Sequence, residues 1–374
     1  MMRASMQILS GLAVGLFVGF GCSVVADAQG VAAPQIAPCS ADFVAKADTA
    51  IKDHLATSKA PGVAVAFVDN DKACVLVSGA AGGRIPGPVK PDTIFAMGSV
   101  QKVFNSTLLA YQIVQGKANI DDPAAKYLVA ADGAQVSPKS AFWQVRLRDL
   151  VTHTSALQGL PAGYPRSAEL YEDKPMPRYI INFLNSWKPD YPVGTRYVYS
   201  NFASLLVGHA AVTLAKEPYS KLLAAAITRP LAMPHTSPTI CDSNNPLCAL
   251  GHNADGRQNH YPVVGLWTTA DDMLRFLEAH MGVLKSVDRL DQAIVMTHRE
   301  LFRENANHAV GMAWEKWHSD NALLFSKNGL TSGFTSWLAF QPNRHLGVVV
   351  LSNGAEKPVA SDLGGQLLTL AASH

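Results

Sequence analysis

Gly311-Met-Ala-Trp-Glu-Lys-Trp317, Leu323-Leu-Phe-Ser-Lys327, Ser336-Trp-Leu-Ala-Phe-Gln341 and Leu346-Gly-Val-Val-Val-Leu351 follow one another closely near the end of the chain. Each run has strand length, is rich in β-branched and aromatic residues, and is bounded by turn-forming residues. Together they predict an antiparallel meander. Further upstream, Val63 to Val68 and Ala73 to Val77 read as two strands across the Asp69-Asn70-Asp71 turn. An isolated hairpin is marginal in water, so this pair is expected to join the C-terminal sheet.

Helices complete the plan. An amphipathic helix is predicted from about Ala41 to Ser58, ended by Pro61-Gly62, and another from about Val359 to Ala371. A helical apolar pattern also runs from about Ser99 to Gln115, which puts Ser99 at a helix N-terminus, the end that stabilises developing negative charge. From Leu108 to about Val264 the chain reads as mostly helical, with long Pro/Gly-rich loops and little strand signal. The expected fold class is α/β: an antiparallel sheet flanked by N- and C-terminal helices, with an all-helical domain inserted. The expected boundaries are 29–98 with 265–374 for the α/β domain and 99–264 for the helical domain, with the active site between them.

The chain has 374 residues and a formal charge of +2, enough length for a substantial core. Its Lys and Arg residues form no run that would track phosphates, which excludes a nucleic-acid binder. Arg3, the apolar stretch Ile8 to Phe20 and Ala26-Asp27-Ala28 read as a secretory leader over residues 1–28, with a mature chain from about Gln29. The apolar stretch is too short for a comfortable membrane span. Periplasmic or secreted localisation follows. Cys22, after Gly19-Phe20-Gly21, is the alternative lipid-attachment position, in a poor context for it.

Without Cys22, Cys39, Cys74, Cys241 and Cys248 remain, an even number that suits disulfides in an exported chain. Cys241 and Cys248 bracket the turn-rich Asp-Ser-Asn-Asn-Pro-Leu, so a local bridge is expected there; Cys39–Cys74 follows by elimination. No Cys/His spacing resembles a zinc site and His-Glu-x-x-His is missing, so neither metal nor cofactor is expected.

The chemistry-bearing residues are Ser99-Val-Gln-Lys102, Tyr199-Ser-Asn201 and Lys327-Asn-Gly329, in that order, each pattern occurring once. On a helix, residues three apart share a face, so Lys102 can aim its amine at Ser99 Oγ. To act as a base near neutrality, that amine needs desolvation or a neighbouring cation, and Lys327 is the candidate. Tyr199 offers a phenol to relay the proton, or a phenolate if positive charge surrounds it. Asn201 both donates and accepts, which suits a substrate amide. Gly329 lets a substrate backbone approach closely, and the backbone N–H groups of Ser99 and Leu330 are candidates for an oxyanion hole. Taken singly, Ser99 is an ordinary helix cap, Tyr199-Ser-Asn201 a turn and Lys327-Asn-Gly329 a hairpin turn; the ordered set of three makes a serine acyl-transfer site.

Ser-x-x-Lys, Tyr-x-Asn and Lys-x-Gly resemble the motifs of the class C β-lactamase family and its penicillin-binding relatives. Further stretches are similar to that family: Gly116 to Asp122-Pro123 with Lys126-Tyr127-Leu128, Leu147-Arg-Asp-Leu-Val-Thr-His153-Thr-Ser155, Pro192-Val-Gly194-Thr195, and Ile227-Thr-Arg-Pro230-Leu-Ala-Met233. The resemblance spans about residues 40 to 370. It implies that Ser99 is acylated, that Lys102 and Tyr199 manage protons, that Asn201 holds the acylamide, and that Lys327 and Asn328 face the substrate carboxylate.

The implied substrates are β-lactams or D-Ala-D-Ala-type peptidoglycan peptides. Asn328 stands where the family usually has Thr, which puts efficient cephalosporin hydrolysis in question, and the Tyr199-to-Lys327 interval is short for a true class C β-lactamase. The Tyr-Ser-Asn form, Thr-Arg-Pro-Leu and the cysteine pair look more like the DD-carboxypeptidase/endopeptidase branch. Carboxylesterase activity on the same scaffold and a penicillin-binding sensor that acylates without turnover are the alternatives. An α/β-hydrolase is disfavoured, because no Gly-x-Ser-x-Gly surrounds Ser99. Ser319-Asp320-Asn321 spells a class A β-lactamase motif but reads as a hairpin turn, Glu169 and Glu172 as surface carboxylates, and Thr269-Ala-Asp-Asp272 as a helix cap.

Overall fold

Alternate residues of the central strands are buried on opposite faces of one sheet, and that two-sided burial organises the molecule. The computed structural model describes residues 37–82, 87–158, 173–239, 241–242, 244–259, 263, 265–319, 322–355 and 359–373. The leader, Cys22, Glu169, Glu172, Asp320 and Asn321 lie outside them. Nine strands form the sheet: β1 (Ala37–Pro38), β2 (Gly62–Asp69), β3 (Lys72–Gly79), β4 (Phe302–Arg303), β5 (His308–Val310), β6 (Glu315–Ser319), β7 (Ala322–Thr331), β8 (Phe334–Gln341) and β9 (Leu346–Ser352). Their order is β1-β3-β2-β9-β8-β7-β6-β5-β4. From β6 to β9 the neighbours are the expected meander, β5 and β4 extend it beyond the runs read from the sequence, and β2 pairs antiparallel with β9, Val65 opposite Val350. The two ends of the chain thus share one sheet.

Val63, Val65 and Phe67 point to one side, with Trp337, Ala339, Val348 and Val350, and are covered by α1 (Ala41–Thr57) and α6 (Val359–Ala372). Ser40 caps α1 by accepting from Phe43 N, and Phe43 stacks on Phe67 at 4.4 Å. Ala64, Ala66, Val68, Leu338, Phe340 and Val349 face the other way, into the larger core. There α4 (Ala270–His280) packs on the sheet, and its Phe276 stacks at 4.1 Å on Phe104 of α2 (Gln101–Val114). Both faces being covered explains why the seven residues of β9 are buried without alternation. Helix α2 lies between α3 (Asn201–Ala215) and α5 (Asp288–Thr297) and is buried almost continuously from Lys102 to Ala110.

Two expectations change in detail. Of the run Gly311 to Trp317 only Glu315 to Trp317 is strand: Gly311 to Trp314 form the bend that joins β5 to β6, where Ala313 takes φ +66°, outside the extended region. Ser99 sits not in the helix itself but in the 3-10 turn Gly98–Val100 that feeds α2. Both expected disulfides are formed. Cys39–Cys74 ties β1 beside β3, and Cys241–Cys248 closes the local loop. Thr269 caps α4 by accepting from Asp272 N, and Asp272 also accepts from Thr236 and from His235 N.

A buried histidine pair lies in the larger core, His280 Nδ1 and His298 Nε2 being 2.9 Å apart among Phe276, Trp314 and Phe340. Burial, and then the Lys316 charge, pushes His298 down to about 3, while burial and His298 hold His280 well below its ordinary value. The unfolded chain takes up these protons below about pH 6.5 and the folded chain does not, so stability falls as pH falls. Each histidine then contributes about 1.4 kcal/mol per pH unit between pH 6 and 4. Urea unfolding across that range is expected to show this slope, reduced by about that amount in His298→Gln. An identical slope in the variant would mean that His298 is not held neutral.

Candidate active site

The site forms where the turn before α2 abuts β7. Gly98 takes φ +52°, and a Cβ there would lie 2.9 Å from Leu330 N. A Cβ on Gly329 would strike Met97 O and Ser336 Oγ and approach Ser99 N to 3.1 Å. Only glycine permits this backbone-on-backbone contact, which gathers the N–H groups of Ser99 and Leu330 at one junction. Ser336 on β8 fastens it by donating to Met97 O at 2.6 Å. Gln101 holds the other side, its Oε1 accepting from Leu266 N at 3.0 Å.

Ser99 Oγ receives two donors: Lys102 Nζ at 3.0 Å and Tyr199 OH at 2.7 Å. Lys327 Nζ stands 4.8 Å from the Tyr199 ring centroid and Lys102 Nζ 5.1 Å from it, so the phenol lies between two amines. The three motifs read from the sequence therefore meet. Tyr199 is held in place by the segment before α3: Val198 N donates to His153 O and Ser200 N to His153 Nδ1, with the His153 ring 4.7 Å from that of Tyr199. His153 adopts φ +58° to make both contacts, which gives the Leu147-to-Ser155 stretch a structural purpose. Asn201 begins α3 and is exposed, with Ser200 as its cap. Asn328 and Leu330 are exposed on β7, and Gly329 is buried between them.

The electrostatics follow from burial. Lys102 is lowered to about 7, first by desolvation and then by the Lys327 charge. Half the amine is then neutral at pH 7, on the order of 10³ times the fraction in an ordinary lysine. A neutral Nζ can take the Ser99 proton across the contact it already makes. Tyr199 moves the other way: although 40% of the residue is exposed, desolvation pushes it up to about 12, an effect opposed by the Ser99 hydrogen bond and reinforced by Glu315. At neutral pH it is a phenol, which favours proton relay over a phenolate.

Residues that the sequence did not single out complete the site. Lys327 is fully buried and pairs with Glu315 at 3.1 Å. Burial works against the Glu315 carboxylate, but the Lys327 charge and hydrogen bonds from Tyr197, His308 and Lys327 outweigh it and hold Glu315 below its ordinary range. Desolvation, the Glu315 charge and the hydrogen bond to it raise Tyr197. A carboxylate inside an apolar strand run was the available signal for Glu315; the family-like stretch Leu147 to Ser155 included His153 without giving it a role, and nothing local marked Ser336. Among the described residues no group of His, Cys, Asp or Glu could hold a metal ion.

A beta-lactamase family profile matches residues 47–372. The chain belongs to the beta-lactamase family. It is 27% identical over 344 residues to a beta-lactamase of Pseudomonas fluorescens, covering 82% of this chain and 92% of that protein. Its fold is similar to that of a class C beta-lactamase, with TM-score 0.77 and 24% identity over 89% of this chain and 96% of the other. It is also similar to the D-alanine carboxypeptidase AmpC of Burkholderia cenocepacia, with TM-score 0.74 and 26% identity over 88% of this chain and 99% of the other. This family member is accordingly a beta-lactamase-family serine hydrolase, with a fold like that of the class C enzymes.

Because Lys327 helps to keep Lys102 neutral, Lys327→Met is expected to move the acidic limb of the pH–acylation profile upward from about pH 7, with a loss of at least about tenfold in rate at pH 7. Stopped-flow acylation from pH 5 to 9 checks this; a limb left in place would mean that burial alone sets the Lys102 value.

Proposed function

We propose that this protein is an exported hydrolase whose Ser99 is acylated by β-lactams or D-Ala-D-Ala-type peptides. The observation that carries the proposal is the convergence on Ser99 Oγ of Lys102 Nζ and Tyr199 OH, with buried Lys327 beside them. In this reading neutral Lys102 removes the Ser99 proton as Oγ attacks the carbonyl. The N–H groups of Ser99 and Leu330 receive the developing oxyanion, a donor of this kind being worth about 10²–10³ in rate. Tyr199 passes its proton to the departing nitrogen and takes the Ser99 proton on from the Lys102 ammonium, so that both residues return to their starting forms. Water then attacks the acyl carbonyl and frees Ser99.

Asn201 holds the acylamide, and Lys327 with Asn328 and Gly329 meets the substrate carboxylate. The likeness to a D-alanine carboxypeptidase and the Asn in place of Thr at 328 favour the peptidase branch. In that assignment the cleft runs between an α/β part (29–98 and 265–374) and a helical part (99–264). The described strands of the nine-stranded sheet, at 37–79 and 302–352, support that division. The disulfides Cys39–Cys74 and Cys241–Cys248, together with the leader pattern, support export to the periplasm.

Intact-protein mass spectrometry after mixing with penicillin tests the reading. A Ser99 adduct is expected in the wild type and none in Ser99→Ala; labelling that survives in the variant would remove Ser99 as nucleophile. A persistent adduct indicates the peptidase or a sensor, and a transient one with excess hydrolysed drug indicates a β-lactamase. No adduct, with ester hydrolysis intact, indicates a carboxylesterase.

Asn328→Thr is expected to raise β-lactam turnover several-fold, since a hydroxyl replaces the broader amide at the carboxylate position. Steady-state hydrolysis of nitrocefin measures it, and an unchanged rate would show that Asn328 does not limit turnover.

A further inference from the structure

The polar contacts behind Lys327 continue past Glu315. The Glu315 carboxylate is shared: Oε1 accepts from Lys327 Nζ at 3.1 Å and from Tyr197 OH at 2.7 Å. Oε2 meets His308 Nε2 at 2.7 Å, and His308 Nδ1 meets Glu304 Oε2 at 2.7 Å. The His308 side chain is 5% exposed, lies at 4.4 Å against the Trp317 ring, and has Tyr197 edge-on at 5.3 Å. The groups facing it are therefore Glu304 on its own loop, Glu315 and Trp317 from β6, and Tyr197 from the segment before α3. Lys327 of β7 lies beyond Glu315.

Carboxylate oxygens thus engage both imidazole nitrogens, which clamps the ring and fixes which oxygen of Glu315 it meets. That clamp matters to the site. Glu315 left to turn freely would pull on Lys327, the cation that helps to keep Lys102 neutral. The Glu315 carboxylate is instead held from both sides, by Lys327 and Tyr197 on Oε1 and by His308 on Oε2. Its two oxygens are also fixed in direction, so Oε1 presents itself to Lys327 and Tyr197.

We propose that His308, clamped between Glu304 and Glu315, is a positioning residue for acylation of Ser99, fixing the Glu315 carboxylate and through it the Lys327 ammonium beside Tyr199. The proposal rests on the acyl-enzyme reading above. His308 and Glu304 also line a cavity of about 670 Å³, with Tyr197, Glu315, Trp317 and Asn328, so the imidazole position can be reached by a small molecule.

The experiment measures the Ser99 acylation rate with a fluorescent penicillin from pH 5 to 9, in wild type, His308→Gln, His308→Gly and Glu304→Gln. His308→Gln is expected to lose about tenfold in acylation rate at pH 7 and to move the acidic limb upward by about half a pH unit or more, because a Glu315 carboxylate left to turn freely pulls on Lys327 and so favours protonated Lys102. Added imidazole is expected to restore part of the rate in His308→Gly. Glu304→Gln, at a half-exposed position that tolerates change, is expected to show a smaller loss in the same direction.

Wild-type rate and limb in both His308→Gln and Glu304→Gln would overturn the proposal. So would an equal loss at every pH with no imidazole rescue, the signature of a merely structural histidine. A wild type that is never acylated at Ser99 would instead overturn the acyl-enzyme reading, and the two failures are told apart by that control.

Discussion

Two lysine amines share one largely dry junction, and the rest of the site depends on how their charges are arranged. Taking an ammonium out of water is costly, and two together are worse, so one of the pair has to give up charge. Lys327 lies 3.1 Å from the Glu315 carboxylate, whereas among the described residues Lys102 has no carboxylate partner, meeting Ser99 Oγ at 3.0 Å and lying 5.1 Å from the Tyr199 ring centroid. In the proposed mechanism that asymmetry makes Lys102 the base and Lys327 the anchor. Tyr199, 40% exposed yet raised by desolvation, is the proposed proton donor between them.

The fold supplies this junction through backbone rather than side-chain packing. Strand β7 meets the turn that feeds α2 at Gly329 and Gly98, and Ser336 bonds to Met97 O across the seam. Helix α2 is buried on nearly all sides, so Ser99 at its start moves only if the core moves. Tyr199 comes from a different region and is held by His153, whose left-handed backbone turns its carbonyl and ring toward residues 198 and 200. Rigid sources on three sides hold the contacts at Ser99 near 3 Å.

Much of this was legible in the sequence. The strands of β2, β3, β7, β8 and β9 stood out as short β-branched runs between turns, and α1 and α6 by their periodicity. The Gly311-to-Trp317 run misled because its residues look like strand, while the kink at Ala313 is imposed by packing of Met312 and Trp314 into the core. Ser99, Lys102, Tyr199 and Lys327 were found because their residue types are improbable together without chemistry. Glu315, Tyr197, His308 and His153 were not given roles, because each alone is an ordinary polar residue, the first and third on strands and the other two in loops.

The amino-acid order by itself determined the central strands, the flanking helices, the local Cys241–Cys248 bridge and the candidate reacting groups, since these depend on local pattern and on the scarcity of matching residues. Only the tertiary structure decided how those groups are charged. Proton affinity depends on burial and on neighbours that are distant in sequence: Lys327 is separated from Ser99 along the chain by an entire helical region, yet its charge adds to burial in lowering Lys102.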